Sequence, residues 1–195
     1  MRTATIERNT KETQVKLSLN LDGSGKSNIN TSCPFMDHML TLFSAHSRFD
    51  LDIEAVGDIK VDYHHTVEDV GIVLGQAFKK ALGDMKGITR YGTTILPMDE
   101  SLILTSLDIS GRSYLRYDLP VRATKIGDFP VELVEEFLLA FVRHAGITLH
   151  VVKMAGTNSH HVIEGAFKSL ARSLKDAVKI EEKYKDEIPS TKGVL

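Results

Sequence analysis

HHTVEDVGIVLGQAFKKAL, His64 to Leu82, and HHVIEGAFKSLARSLKDAV, His160 to Val178, open on the same string, His-His-x-x-Glu, 96 residues apart. Upstream of each lies a second matching pair. At an offset of 98, DHMLTLFSAHSRFDLDI (Asp37–Ile53) falls on EEFLLAFVRHAGITLHV (Glu135–Val151) without a gap, setting Phe43 on Phe141 and His46 on His144. At an offset of 86, Ser24-Gly25-Lys26 meets Ser110-Gly111-Arg112. The matches keep one order along the chain, which identifies an internal duplication.

Each copy carries the same succession of patterns. Val15, Leu17, Leu19 and Leu21 alternate with polar residues, as in a half-buried strand that ends at the turn DGSG; Leu102 to Ile109 is its counterpart. A short second strand follows each turn. Apolar helical stretches come next, at about Phe35–Ala45 and Val131–Ala145. Strands return at Leu51–Val56 and Ile147–Val152, and the long amphipathic helices opened by the histidine pairs run to about Leu82 and Lys179. The expected fold is α+β, two β-β-α-β-α halves related by a pseudo-twofold axis, with sheets packed against helices. Neither half is large enough to bury a comfortable core alone. The expectation is therefore one domain over 1–195, with repeats at about 1–88 and 92–185, a link at Asp84–Thr93 and a polar tail, 186–195.

Composition narrows the function classes. A net charge of −2 and the absence of tryptophan disfavour nucleic-acid binding, which draws on basic surfaces and stacking platforms. No apolar run approaches the length of a membrane helix, and the polar start MRTATIERNTKET lacks the core of a secretory signal. The single cysteine, Cys33, permits neither an intramolecular disulfide nor a cysteine-based zinc site, which suits a reducing, cytoplasmic setting.

The repeated string points to metal. On a helix, positions i and i+4 share a face and i+3 is nearly as close, so Glu68 stands near His64 or His65, and Glu164 near His160 or His161. Adjacent histidines diverge by about 100°, an awkward pair for one ion and a natural one for two. The repeat adds His38 and its counterpart Glu136, giving eight candidate ligands for two ions. Nitrogen and oxygen donors without sulfur suit manganese, iron, nickel or zinc, and octahedral coordination favours manganese or iron. One such string alone is more often a surface accident; its duplication is what favours metal. His150 reads as structural or supporting, and Asp62 and Asp69 as carboxylates placed to orient the imidazoles.

Basic residues sit where turns project them: Arg90 in GITRYG, Arg112 after SGR, Lys192 in PSTKG, and Lys168 one turn beyond Glu164 on the metal-bearing face. Taken singly each is a solvated charge; together they are the residue types that bind phosphate.

From about Arg8 to Leu195 the chain resembles the imidazoleglycerol-phosphate dehydratases. The resemblance rests on TKET, PFMDHML, HHTVEDVGIVLG, GITRYG, PMDE, SGR, GITLH, NSHHVIEGAFKSLAR and PSTKGVL. It implies a duplicated fold, two Mn2+ ions per site, and a homo-oligomer of 24 chains with sites between subunits. The implied metal ligands are His38, His64, His65, Glu68, Glu136, His160, His161 and Glu164; many relatives have histidine where this chain has Glu136. The implied phosphate-binding positions are Arg90, Arg112, Lys168, Ser190 and Lys192, with Glu12 and His46 near the glycerol hydroxyls of the substrate. The implied reaction is a lyase step of histidine biosynthesis, loss of water from imidazole glycerol phosphate to give imidazole acetol phosphate. In that scheme a metal-stabilised imidazolate expels the hydroxyl, and Glu12 is the leading candidate for the general acid–base. Two other readings use the same ligands: a two-metal phosphohydrolase and a metal-storing or metal-sensing assembly.

Overall fold

Both halves begin one strand earlier than the alternation of apolar residues indicates. A computed structural model describes all 195 residues, Met1 to Leu195. The first half runs β1 (Thr3–Asn9), β2 (Thr13–Asn20), β3 (Ser27–Asn30), α1 (Pro34–Ser47), β4 (Asp50–Gly57) and α2 (His64–Leu82). The second runs β5 (Tyr91–Met98), β6 (Ser101–Asp108), β7 (Tyr114–Asp118), a hairpin of β8 (Lys125–Ile126) and β9 (Phe129–Pro130), α3 (Leu133–Ala145), β10 (Thr148–Ala155) and α4 (Ser159–Ala177). The repeat is therefore β-β-β-α-β-α, with the small hairpin inserted in the second copy.

The added strands explain themselves physically. β1 offers only Ala4 and Ile6 to the interior, and β5 carries Gly92 and Pro97; each is an edge strand with a single partner. Gly92 leaves no choice of residue, because a Cβ there would lie 1.9 Å from the Ser173 carbonyl oxygen of α4. The segment 84–93 expected as a link is thus largely structured, with β5 starting inside it.

Each half forms one four-stranded sheet, in the orders β1-β2-β4-β3 and β5-β6-β10-β7. The hairpin pairs are antiparallel, while β3 joins β4 and β7 joins β10 in parallel. The four helices make the inner layer. α2 covers β1, β2 and β4, α4 covers β5, β6 and β10, and the helices then pack across the halves, α1 on α4 and α2 on α3. One apolar core runs through both repeats; Phe78 of α2 meets Phe141 of α3 at 5.8 Å between ring centroids, and Phe137 meets Phe167 at 5.5 Å.

The α2–α3 crossing is close because Gly71 and Gly75 of α2 face the α3 backbone; a Cβ on either would lie within 2.7 Å of the Phe137 or Phe141 carbonyl oxygen. The last residues are polar, but they fold back over the second half. Gly87 donates to the Glu187 carbonyl at 2.8 Å, and Arg90 Nη1 donates to the Pro189 carbonyl at 2.8 Å.

Candidate metal centre

Three side chains from two helices converge where α1 crosses α4. Pro34 starts α1 at the position where its fixed φ suits a first turn. Asp37 accepts from the backbone N–H of Thr31 at 2.8 Å, fixing that turn and with it the neighbouring His38. On α4, Asn158 caps the helix by accepting from the backbone N–H groups of His160 and His161. The result places His38 Nε2 3.5 Å and His160 Nε2 3.0 Å from Glu164 Oε2. One donor atom from each of the three lies within 4.8 Å of the others, and no other group of three such side chains converges this closely.

The environment of this trio is uneven. Glu164 is buried, whereas His38 is 47% exposed. Phe35 stands edge-on to His160 at 5.6 Å and rests on Phe129 of the inserted hairpin at 5.0 Å. Lys168 reaches back one turn to pair with Glu164. Burial alone would push the Glu164 carboxyl up, but Lys168 and His160 outweigh it and hold the group below its ordinary value. Two imidazoles and an ionised carboxylate are a donor set that first-row divalent ions accept, so the trio fits a metal of that class.

The second histidine of each pair points elsewhere, as expected of neighbours on one helix. His65 Nδ1 donates to Asp58 Oδ2 at 3.0 Å, with Glu12 Oε2 at 3.8 Å. His161 Nδ1 donates to Glu100 Oε2 at 2.8 Å. An ionised carboxylate only accepts, so both rings carry a proton on Nδ1, and in the neutral form each leaves Nε2 with its lone pair. The hydrogen bonds to Asp58 and Glu100 raise the pKa of the two rings, and Glu100 is held well below the usual carboxylate range by His161 and the Asn158 backbone.

The remaining set, Glu136 with His64 and Glu68, does not close. All three are half-buried, and no hydrogen bond or ion pair links them. The difference follows from charge. Glu164 has Lys168 at i+4, but Glu68 has Ile72 there, and Glu136 replaces an imidazole by a second carboxylate. Two carboxylates without a cation repel one another.

Several expectations need correction. Asp69 touches no imidazole; it is buried between Arg8 Nε at 2.8 Å and the Thr13 hydroxyl, where it anchors the β1–β2 turn that carries Glu12. Asp62 accepts from the backbone N–H of His64 at 2.8 Å and so caps α2 without orienting a ring. The carboxylates that orient imidazoles are Asp58 and Glu100, which helix periodicity could not reveal because both lie in connections. His150 lies on the exposed face of its sheet against Tyr114, with rings 5.5 Å apart, on the side away from the helices.

The basic residues form two groups. Arg90 pairs with Asp108 at 2.7 Å, Arg112 Nη2 lies 3.8 Å from the same carboxylate, and the returning tail brings Ser190 and Lys192 to the Arg90 end of the chain. Lys168 is not among them. The Arg90 backbone N–H bonds the Ala177 carbonyl at the end of α4, nine residues and about 13 Å of helix beyond Lys168. His46 sits in the last turn of α1, half-buried; burial, then Lys168 and Arg172, push its pKa down.

The family model for imidazoleglycerol-phosphate dehydratase matches residues 31–174. The chain belongs to the imidazoleglycerol-phosphate dehydratase family. Curated relatives of that name include those of Azorhizobium caulinodans, 56% identical over 195 residues, and Caldanaerobacter subterraneus subsp. tengcongensis, 55% identical over 195 residues. The matches cover all of this chain and 99% and 100% of those proteins. Among solved structures, the dehydratase of Staphylococcus aureus aligns with a TM-score of 0.84 at 42% identity, over 92% of this chain and 99% of its own. The Pyrococcus furiosus protein, solved in complex with (S)-C348, aligns with a TM-score of 0.84 at 37% identity, over 97% and 100%. Family membership and the duplicated α+β fold thus agree with the resemblance carried by the sequence motifs.

Proposed function

We propose that this chain dehydrates D-erythro-imidazole glycerol phosphate to imidazole acetol phosphate in L-histidine biosynthesis, as a cytoplasmic, metal-dependent homo-oligomer. The observation that carries the reading is the meeting of His38, His160 and Glu164, with His161 next to it at the start of α4 and His65 in the corresponding place at the start of α2. His38, His160 and Glu164 would hold one Mn2+, and Glu136, His64 and Glu68 the other, with His65 and His161 completing the coordination from neighbouring chains. An ion held there would supply Lewis acidity toward the substrate's imidazole nitrogens.

The chain's own residues then have separable tasks. The chemical difficulty is a carbon-bound proton with no adjacent carbonyl; that C–H bond and a C–O bond must break, giving an enol that tautomerises to the ketone. Glu12 sits at a turn tip with its side chain 57% exposed, near His65 but without a close partner, so its carboxylate is available to take the proton and assist departure of the hydroxyl. Lys168 stands at the metal-bearing end of α4, while Arg90, Arg112, Ser190 and Lys192 gather at the far end. A substrate held by both groups would draw on more than one subunit, and this separation supports an assembly with shared sites. An assembly of 24 chains is the form proposed.

The decisive test measures turnover of the named substrate before metal removal, after it, and after Mn2+ is restored. Loss and recovery of ketone formation are expected. Full activity in chelator-treated, metal-free protein would overturn the metal-dependent reading, and release of inorganic phosphate would instead indicate hydrolysis of the ester.

A further inference from the structure

The two hairpins that open the halves superpose residue for residue. Thr5 faces Ser18 across β1–β2 with hydroxyls 2.9 Å apart, and Thr93 faces Ser106 across β5–β6 at 2.8 Å. The offset is 88 residues at both members of the pair. The same offset carries Thr13, the first residue of β2, onto Ser101, the first of β6, and Glu12 onto Glu100. Glu12 and Glu100 are therefore the same position in the two repeats.

Their surroundings differ. Glu100 is held through both oxygens. Oε1 accepts from the backbone N–H groups of Thr157 at 3.2 Å and Asn158 at 2.8 Å and from the Ser101 hydroxyl at 3.0 Å, while Oε2 accepts from His161 Nδ1. Glu12 accepts no such bonds, and its oxygen stops 3.8 Å from His65 Nδ1. The cause lies in the connections that lead into α2 and α4. The first, residues 58–63, is DIKVDY, and its Asp58 already accepts a hydrogen bond from His65 Nδ1. The second is only Gly156-Thr157-Asn158 and contains no carboxylate. Without Asp58's equivalent, His161 can be oriented only from the β5–β6 turn.

We infer that Glu100 is the positioning residue for His161, fixing the ring in the tautomer that offers Nε2 to metal, and that Asp58 does the same for His65 and thereby leaves Glu12 unengaged. This assignment rests on the metal-dependent reading given above. The two glutamates have divided one ancestral position: Glu100 acts through the imidazole, Glu12 acts on the substrate. Carboxylates behind a ligating histidine typically contribute about 10–100-fold in metal affinity.

The test uses the full chain and compares Glu100→Ala, Glu100→Gln and Glu12→Ala. Glu100→Gln keeps an oxygen for the Thr157 and Asn158 N–H groups, so a folding defect in Glu100→Ala is separated from loss of the charge on His161. Calorimetric Mn2+ binding is expected to weaken by about 10–100-fold in Glu100→Ala and by less in Glu100→Gln. Glu12→Ala is expected to bind Mn2+ as wild type does while losing turnover. Solid-state NMR of metal-free, ¹⁵N-histidine-labelled protein reads the tautomer directly, with His161 assigned by its loss in His161→Asn. The Nδ1-protonated form should dominate for wild type and Glu12→Ala and give way to a mixture in Glu100→Ala. Unchanged Mn2+ affinity and an unchanged His161 tautomer in both Glu100 variants would overturn the assignment. Absence of Mn2+ binding by the wild-type protein would instead overturn the metal-dependent function, independently of Glu100.

Discussion

At the scale of single residues, the candidate metal centre is a competition for Glu164. Lys168 now neutralises that carboxylate, and a divalent ion arriving on His38, His160 and Glu164 would meet the ammonium group as a like charge. At about 4 Å in water such a repulsion, between a double and a single charge, is worth ~2 kcal/mol. Lys168→Met should therefore bind Mn2+ about thirtyfold more tightly while raising the KM for the phosphorylated substrate; calorimetry and steady-state kinetics read the two effects separately. A second substitution probes the open set. Glu136→His restores the imidazole that the repeat carries at His38, so if two Mn2+ ions bind, they should bind the variant with more equal affinities than wild type, visible as fewer resolved steps in a calorimetric titration. The helical histidines and glutamates were legible in the sequence as candidates because their spacing and their repetition are local facts. Asp58 and Glu100 were not, since a loop residue meets an imidazole only after the turn geometry is known.

Among the elements, the crossing of α2 and α3 sets how the helix carrying Glu136 meets the helix carrying His64 and Glu68. Alanine is the better helix former by ~1 kcal/mol, but at Gly71 its Cβ would press on the Phe137 carbonyl at 2.7 Å, a backbone atom that cannot turn aside. Overpacking of this kind costs ~1–3 kcal/mol and wins. Gly71→Ala should lower the thermal midpoint by about 2–4 °C, measured by circular dichroism, and should weaken one Mn2+ step more than the other. The helices and the central strands β2, β4, β6 and β10 carry strong apolar periods and are readable within a few residues of their ends. The edge strands β1 and β5 are not, because Ala4, Gly92 and Pro97 give little alternation; a partner strand, rather than their own side chains, makes them extended. The hairpin of β8 and β9 also escapes a pattern search, at two residues a strand, although its Phe129 supports Phe35 behind His160.

For the whole molecule, the outward-facing Nε2 atoms of His65 and His161 and the separation of Lys168 from Arg90 have one consequence in common. A metal that takes ligands from two chains also joins them. Chelation should convert the assembly to smaller species by light scattering, with Mn2+ restoring the large form; an unchanged size would place every ligand within one subunit. The N-terminal half, residues 1–83, and the remainder should also reassociate when produced together, since α1 needs α4 and α2 needs α3 to cover their apolar faces.

That crossed pairing has a meaning for descent. The shorter helix of each half packs on the long histidine-bearing helix of the other, and the trio of His38, His160 and Glu164 draws on both halves, so a chain of one repeat contains part of that trio and never the whole. Such a chain could have captured metal only after meeting a second copy, at a frequency set by concentration. Fusion of the two made the encounter permanent and the copies unequal in address, and from then on one position could take two states: a glutamate bonded to a histidine, and its twin left without a close partner.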